Sequence, residues 1–103
     1  PCEALSSHGG LSHFTAAHAP AGAPARFDAL EAYARERWPD AEVFRPDSFG
    51  PGLSWETYMV LDARELHRCD MLLLHPTWRE SPGCRIEEAL AAKWGKAQWE
   101  MEG

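Results

Sequence analysis

Apolar residues recur at helical spacing in three segments of the chain. In the first segment, Phe27, Leu30 and Ala34 repeat every three to four residues, and Pro39 closes the pattern. Two later segments show the same kind of repeat. The pattern therefore predicts three helices, over residues 26–38, 55–67 and 82–94.

The second and third helices are preceded by residues that favour helix initiation. Ser54 is a good N-cap for the second helix. Ser81 and Pro82 are N-cap and first-turn residues for the third, and Gly95 is a suitable C-terminal stop. These signals place the starts of both helices directly after loops.

Between the helices, short apolar runs predict strands. The run from Asp70 to His75 is uninterrupted between its ends and stops at Pro76, which is typical of a buried central strand in a parallel sheet. Residues 41–44 and 97–101 predict two further strands. The alternation of helices and strands predicts a three-layer α/β domain, a flavodoxin- or Rossmann-like parallel sheet with helices on both faces. In such a sheet the ligand lies at the carboxyl ends of the strands, here the loops 45–53 and 76–82.

The first 25 residues have a different composition. They are rich in Ala, Gly, Pro, Ser and His and contain no β-branched run. We predict a poorly ordered segment over 1–25, with a short structured stretch near 11–17, followed by a single α/β domain over 26–103. His8, His13 and His18 recur every five residues, a spacing that suits no helix face, so we expect a solvated tail and not a metal site.

Charge and composition limit the classes of partner and the cellular compartment that we expect for this protein. The net charge of −6 over 103 residues leaves no basic stripe for duplex nucleic acid. No apolar run reaches the length of a membrane span. Three cysteines without metal-ligand spacing favour a reducing compartment, hence the cytoplasm. Five tryptophans in so short a chain suggest a compact core, a subunit contact or both. Because a domain of this length has a modest core, we expect a homo-oligomer. We expect no metal or organic cofactor, since carboxyl groups suffice for the chemistry considered below.

Two carboxylates are candidates for chemistry. Glu87 lies about one turn into the third helix, where the helix dipole favours an ionised acid that is able to act as a nucleophile. Its alternative role is an acid that merely favours the helix. Asp62 shares a helix face with Tyr58 and interrupts an apolar surface, as a group that contacts a ligand would. The alternative for Asp62 is a solvent-facing partner of an arginine.

The loop before the third helix adds candidates for ligand binding. Ser81 and the first helical amides face the place where an anion can bind, and Gly83 allows close approach of a ligand to the backbone. Trp78 in the same loop and His75 at the strand end are further candidates, although packing alone explains a histidine there. Cys84 is interpreted as a packing residue.

The motifs S-W-E-T-Y-M, beginning at Ser54, and C-D-M-L-L-L-H-P-T-W-R-E-S-P-G-C-R-I-E, ending at Glu87, resemble the nucleoside 2-deoxyribosyltransferase-like superfamily. The resemblance covers about residues 26–96 and is closest to a phage- and bacteria-associated branch of unknown function. It implies that Glu87 attacks C1′ of a deoxyribose and that Asp62 assists departure of the base. Ser81 matches the phosphate-binding serine of related deoxynucleoside-monophosphate N-glycosidases, and Gly83 matches the glycine of the helix-opening loop.

The resemblance also implies a first strand that ends in a glycine-rich loop. The segment His8-Gly9-Gly10-Leu11 is only weakly similar to that loop. We therefore expect the first strand to be missing or divergent. The predicted function is cleavage or transfer of the N-glycosidic bond of a 2′-deoxynucleoside or its 5′-monophosphate. A non-catalytic nucleotide-binding module and a truncated inactive domain remain the alternatives.

Overall fold

The computed structural model describes residues 12–17, 23–50 and 52–102, in which strands and helices alternate. The strands are β1 (Ser12–Ala16), β2 (Glu42–Phe44), β3 (Met71–Leu74) and β4 (Ala97–Glu100). The α-helices are α1 (Ala23–Arg37), α2 (Trp55–Arg68) and α3 (Pro82–Lys93), with short 3-10 turns at Pro46–Phe49 and Trp78–Glu80. The predicted elements after residue 25 are all present, within three residues at each end.

The four strands form one parallel sheet in the order β2-β1-β3-β4. Helix α1 packs on one face, whereas α2 and α3 pack on the other, so the predicted three-layer α/β class is confirmed. The chain changes direction across the sheet between β1 and β3. In open parallel sheets a ligand crevice forms at such a reversal, outside the carboxyl ends of the strands.

Alternate residues of the two central strands supply the two halves of the core. Phe14 and Leu72 point towards α2 and α3, where they meet Leu66 in one apolar cluster. Leu73 points the other way and packs with Leu30 of α1. Because β1 and β3 are covered on both faces, their side chains are almost fully buried.

The expectation that the first strand is missing was wrong. β1 lies in the centre of the sheet, with its residues paired to β2 on one side and β3 on the other. The Ser12 amide donates to Asp70 Oδ2 at 2.9 Å, and the Thr15 hydroxyl donates to the Phe44 carbonyl at 2.7 Å. Only one of the five strand residues is β-branched, so pairing and burial, and not local propensity, make this segment a strand. The strand coincides with the short structured stretch near residues 11–17 that we predicted within the otherwise poorly ordered segment 1–25.

The predicted N-caps are present in the structure. Ser54 Oγ accepts from the Thr57 amide at 3.1 Å, and Ser81 Oγ accepts from the Cys84 amide at 3.3 Å. Gly95 adopts φ +69°, a left-handed conformation that ends α3. Among the described helices, none combines the length and the apolar character needed to cross a membrane.

Candidate functional site

A pocket of about 490 Å³ opens at the carboxyl end of β1 and beside the start of α3, with a volume typical of small-molecule sites. Five regions of the chain form its walls: the end of β1, the first turns of α1, the 3-10 turn after β2, the first two turns of α2 and the start of α3. The described lining residues are Ala16, Ala17, Phe27, Pro46, Asp47, Gly50, Trp55, Tyr58, Met59, Asp62, Ser81, Gly83, Cys84 and Glu87. The pocket therefore lies where the topology predicts a ligand crevice.

The two carboxyl groups predicted from the sequence meet in this pocket. Asp62 comes from α2 and Glu87 from α3, and the helices pack side by side. Both side chains are buried, with 7% and 4% of their surface exposed. The two carboxyl groups lie close enough for each to shift the pKa of the other, and the Oδ1 atom of Asp62 has no hydrogen-bond partner among the described residues. Asp62 is therefore not the solvent-facing partner of an arginine that was its alternative role.

The protonation of this pair differs from the sequence-based expectation. Burial raises the pKa of Glu87 well above its usual value, and the neighbouring Asp62 charge raises it further. Burial also raises the pKa of Asp62, whereas the hydrogen bond from Glu87 lowers it. Glu87 therefore keeps its proton to higher pH than Asp62 does, and Asp62 is the first of the pair to ionise. We expected the helix dipole to keep Glu87 ionised, but Glu87 is the sixth residue of α3, beyond the first turn where the dipole acts, and desolvation dominates.

Ser81 and Gly83 lie at the edge of the same pocket, at the start of α3. Ser81 is buried and caps the helix through Cys84. A Cβ atom at position 83 would lie 3.2 Å from the Met59 sulfur, closer than ordinary van der Waals contact. Glycine therefore leaves room here for the α2 side chain that lines the pocket beside it.

Tyr58 and Arg45 hold the loop after β2. The Tyr58 hydroxyl donates to the carbonyl of Gly50, which has φ +82°. Arg45 makes ion pairs with Asp28, Glu31 and Asp47, the last through two hydrogen bonds of 3.1 and 2.8 Å. These contacts connect the loop with α1 and α2, so three elements support one pocket wall.

Two predicted ligand contacts lie away from the pocket. The Trp78 indole donates to Glu100 at 3.0 Å and is covered by the Arg79 guanidinium at 4.6 Å. His75 Nδ1 accepts from the Thr77 amide at 3.2 Å, and burial lowers the pKa of the histidine. Neither side chain lines the pocket. Trp78 follows the ligand-side strand end, but its 3-10 turn directs the ring towards β4.

The apolar floor of the pocket was mostly overlooked in the sequence. Phe27 and Met59 have the spacing of ordinary core residues, so nothing in the pattern distinguishes them. Cys84 lines the pocket although we interpreted it as packing, and burial next to Glu87 raises the pKa of its thiol to about 12. The turn-rich composition of residues 45–53 was the one signal for Pro46, Asp47 and Gly50.

His13 is buried in β1 against Trp38, with ring centroids 4.7 Å apart, so it is not part of a solvated tail. His8 and His18 lie outside the described residues. Within the described ranges, no group of three His, Cys, Asp or Glu side chains is arranged to hold a metal ion.

Comparison with known proteins gives a family but no activity. No curated protein matches the chain significantly. Among solved structures, one described as the solution structure of a phosphate-loop protein aligns with 88% of this chain and 76% of its own, at 17% identity and a TM-score of 0.49. The profile of a domain of unknown function, DUF4406, matches residues 21–98, which include α1, β2, α2, β3 and α3. The match spans most of the chain, and the protein belongs to the DUF4406 family.

Proposed function

We propose that this protein cleaves or transfers the N-glycosidic bond of a 2′-deoxynucleoside or of its 5′-monophosphate. The observation that carries the proposal is the buried Asp62–Glu87 pair, two acids with raised pKa values at the wall of a pocket of suitable size. Strongly perturbed acids in a cleft are typical of catalytic sites, because chemistry requires groups that stability alone would disfavour. The resemblance of residues 54–91 to nucleoside 2-deoxyribosyltransferases supports the same reaction class.

The proposed reaction needs one acid and one nucleophile, and the pair provides both. As substrate binds, the proton moves from Glu87 to Asp62, which leaves Glu87 ionised. A Glu87 oxygen then bonds to C1′ while the C1′–N bond breaks, and its electron pair goes to the base nitrogen, which takes the proton from Asp62. Water or a second base then attacks C1′, releases Glu87 and returns a proton to Asp62.

The pocket provides support for each step. The developing positive charge on the sugar favours the ionised form of Glu87, and the charge that remains on the pair stabilises it. The unpartnered Oδ1 of Asp62 is an acceptor for a donor group of the bound ligand. Apolar groups such as Phe27 and Met59 provide a surface for a flat base.

Release of free base tests this proposal. The protein is incubated with each 2′-deoxynucleoside and each 5′-monophosphate, and free base is measured by chromatography. We expect base release that falls at least about 100-fold in Glu87→Gln and in Asp62→Asn. Glu88→Gln is the matched control, because it changes the adjacent acid of the same helix, which does not line the pocket.

Two results would overturn the proposal. Base release that is unchanged in Glu87→Gln would remove Glu87 as the nucleophile. Tight binding of nucleotide by the wild-type protein without any base release would favour the non-catalytic binding module instead.

We also propose that the protein is cytoplasmic and that it associates with further copies of itself, as inferred from the sequence. Trp55 and Val60 of α2 are 53% and 60% exposed, and Ile86 of α3 is 41% exposed, so these two helices present apolar surface next to the pocket. Light scattering of the purified protein tests the oligomeric state, and a mass of one chain at high concentration would contradict it.

A further inference from the structure

The charged groups that line the pocket are all acidic. Among the described residues they are Asp47, Asp62 and Glu87. All ten Lys and Arg residues of the chain lie between positions 26 and 96, in ranges that the structure describes, and none lines the pocket. The chain therefore offers no cationic side chain at the pocket wall to receive a phosphate group.

Arg45 directly precedes the lining residues Pro46 and Asp47. The N–H groups of its guanidinium are already hydrogen-bonded within the protein. Its Nε bonds Asp47, one terminal nitrogen bonds Asp28 and Glu31, and the other bonds Asp47 and the Pro24 carbonyl. The five N–H groups of a guanidinium are thus matched by five acceptor contacts. Arg45 neutralises Asp47 and holds the loop, but it is not free to bind a ligand.

The start of α3 also lacks the free backbone amides that a phosphate group would need. Pro82 has no amide hydrogen, the Cys84 amide is capped by the Ser81 side chain, and the Arg85 amide donates to the Ser81 carbonyl at 3.1 Å. Of the first amides of the helix only that of Gly83 remains, which is a single donor. Phosphate sites at helix N-termini depend on several free amides in addition to the dipole.

From these observations we infer that the pocket selects an uncharged 2′-deoxynucleoside and discriminates against the 5′-monophosphate. A phosphate dianion near the pocket would face the charge on Asp62 without a compensating cation, and an unpaired charge of this kind is an effective means of rejecting a ligand. The inference rests on the proposed function and decides between its two substrates. It also replaces the phosphate-binding role that the family resemblance implies for Ser81.

The test compares kcat/KM for base release from each 2′-deoxynucleoside and its 5′-monophosphate. We expect at least a tenfold preference for the nucleoside at about 0.01 M salt, and a smaller preference at about 1 M salt, where charges are screened. In Asp47→Asn, which removes a pocket carboxylate and frees donors of Arg45, the relative rate of the monophosphate should rise. Glu56→Gln is the control, because it removes an exposed acid in the first turn of α2 that does not line the pocket. It should leave the ratio of the two kcat/KM values unchanged.

Binding to Glu87→Gln separates this inference from the proposed function. Glutamine has nearly the same shape as glutamate, and the variant keeps Asp47 and Asp62 in a pocket that no cationic side chain lines. Tighter binding of the nucleoside than of the monophosphate, measured by calorimetry, supports the inference even if no base is ever released. Faster turnover or tighter binding of the monophosphate overturns the inference and leaves the glycosidic reaction standing, whereas absence of binding to either ligand overturns both.

Discussion

Replacing Glu87 by Gln should make the protein more stable at neutral pH while it abolishes activity. Burial and the Asp62 charge raise the pKa of Glu87, so the folded state binds this proton more tightly than the unfolded chain does. Between the ordinary glutamate pKa and the raised one, the folded state holds more protons, and the free energy of unfolding falls as pH rises. Glutamine has nearly the same shape as glutamate but does not titrate. The free energy of unfolding of the variant therefore does not fall with pH for this reason.

The size of the effect follows from the linkage between proton binding and folding. Each unit by which the folded-state pKa exceeds the unfolded one lowers stability by about 1.4 kcal/mol once the pH is above both values. Because the Glu87 pKa is raised well above its usual value, we expect the stability of the variant relative to wild type to increase with pH above the ordinary glutamate pKa. In a domain of this size each kcal/mol of that gain corresponds to a Tm increase of about 4–8 °C.

Urea unfolding of both proteins at several pH values is the assay. The difference in unfolding free energy should be small near pH 4.5 and should grow with pH. Glu88→Gln serves as the control and should stay within about 0.5 kcal/mol of wild type throughout. Parallel pH profiles for wild type and Glu87→Gln, or a variant less stable than wild type at pH 8, would refute the raised pKa of the buried Glu87.

Three further predictions test other parts of the structure. Phe14→Ala should lower the free energy of unfolding by about 3–5 kcal/mol, since Phe14 is fully buried in β1 and stacks on Phe44 at 5.4 Å; a loss below about 1 kcal/mol in urea would mean that β1 is not central. Arg45→Ala should lower Tm at low salt more than at high salt, because it removes three partly exposed ion pairs; equal losses at both ionic strengths would contradict that role. Cys69 and Cys84 should react with iodoacetamide at pH 8 at least about 100-fold more slowly in the native protein than in urea, because burial raises both pKa values to about 12; rapid native labelling, followed by peptide mass spectrometry, would show that they are accessible.

The sequence predicts most of the fold because most of its elements carry local signals. The apolar run of β3 and the capped starts of α2 and α3 are sufficient to place those elements. β1 has no such signal: its residues Ser12–Ala16 are small or polar apart from Phe14, and they become a strand only when β2 and β3 pair with them. Central strands of this kind are stabilised by tertiary contacts that a local pattern does not encode.

The candidate site was predictable only in part for a similar reason. Spacing alone favoured exposed, ordinary roles for Asp62 and Glu87, and only the family resemblance brought them together. Their contact depends on how α2 packs beside α3, and their protonation depends on the resulting burial. Trp78 shows the opposite case. Its position after the end of β3 predicts a place near the ligand, but the 3-10 turn that contains it directs the indole towards Glu100 of β4.

The protonation state of Glu87 tests the central claim most directly. Carbon-13 NMR of the glutamate side-chain carboxyls, with Glu87→Gln used to assign the resonance, reports that state through a pH titration. We predict that the Glu87 carboxyl carbon keeps the chemical shift of a protonated acid at pH values where the other glutamates are ionised, and that Asp62→Asn, which removes the neighbouring charge but leaves the burial, lowers the Glu87 pKa only in part. A Glu87 resonance in the wild-type protein that titrates near the ordinary glutamate pKa of about 4.3 would contradict the raised Glu87 pKa, and with it the proposed chemistry.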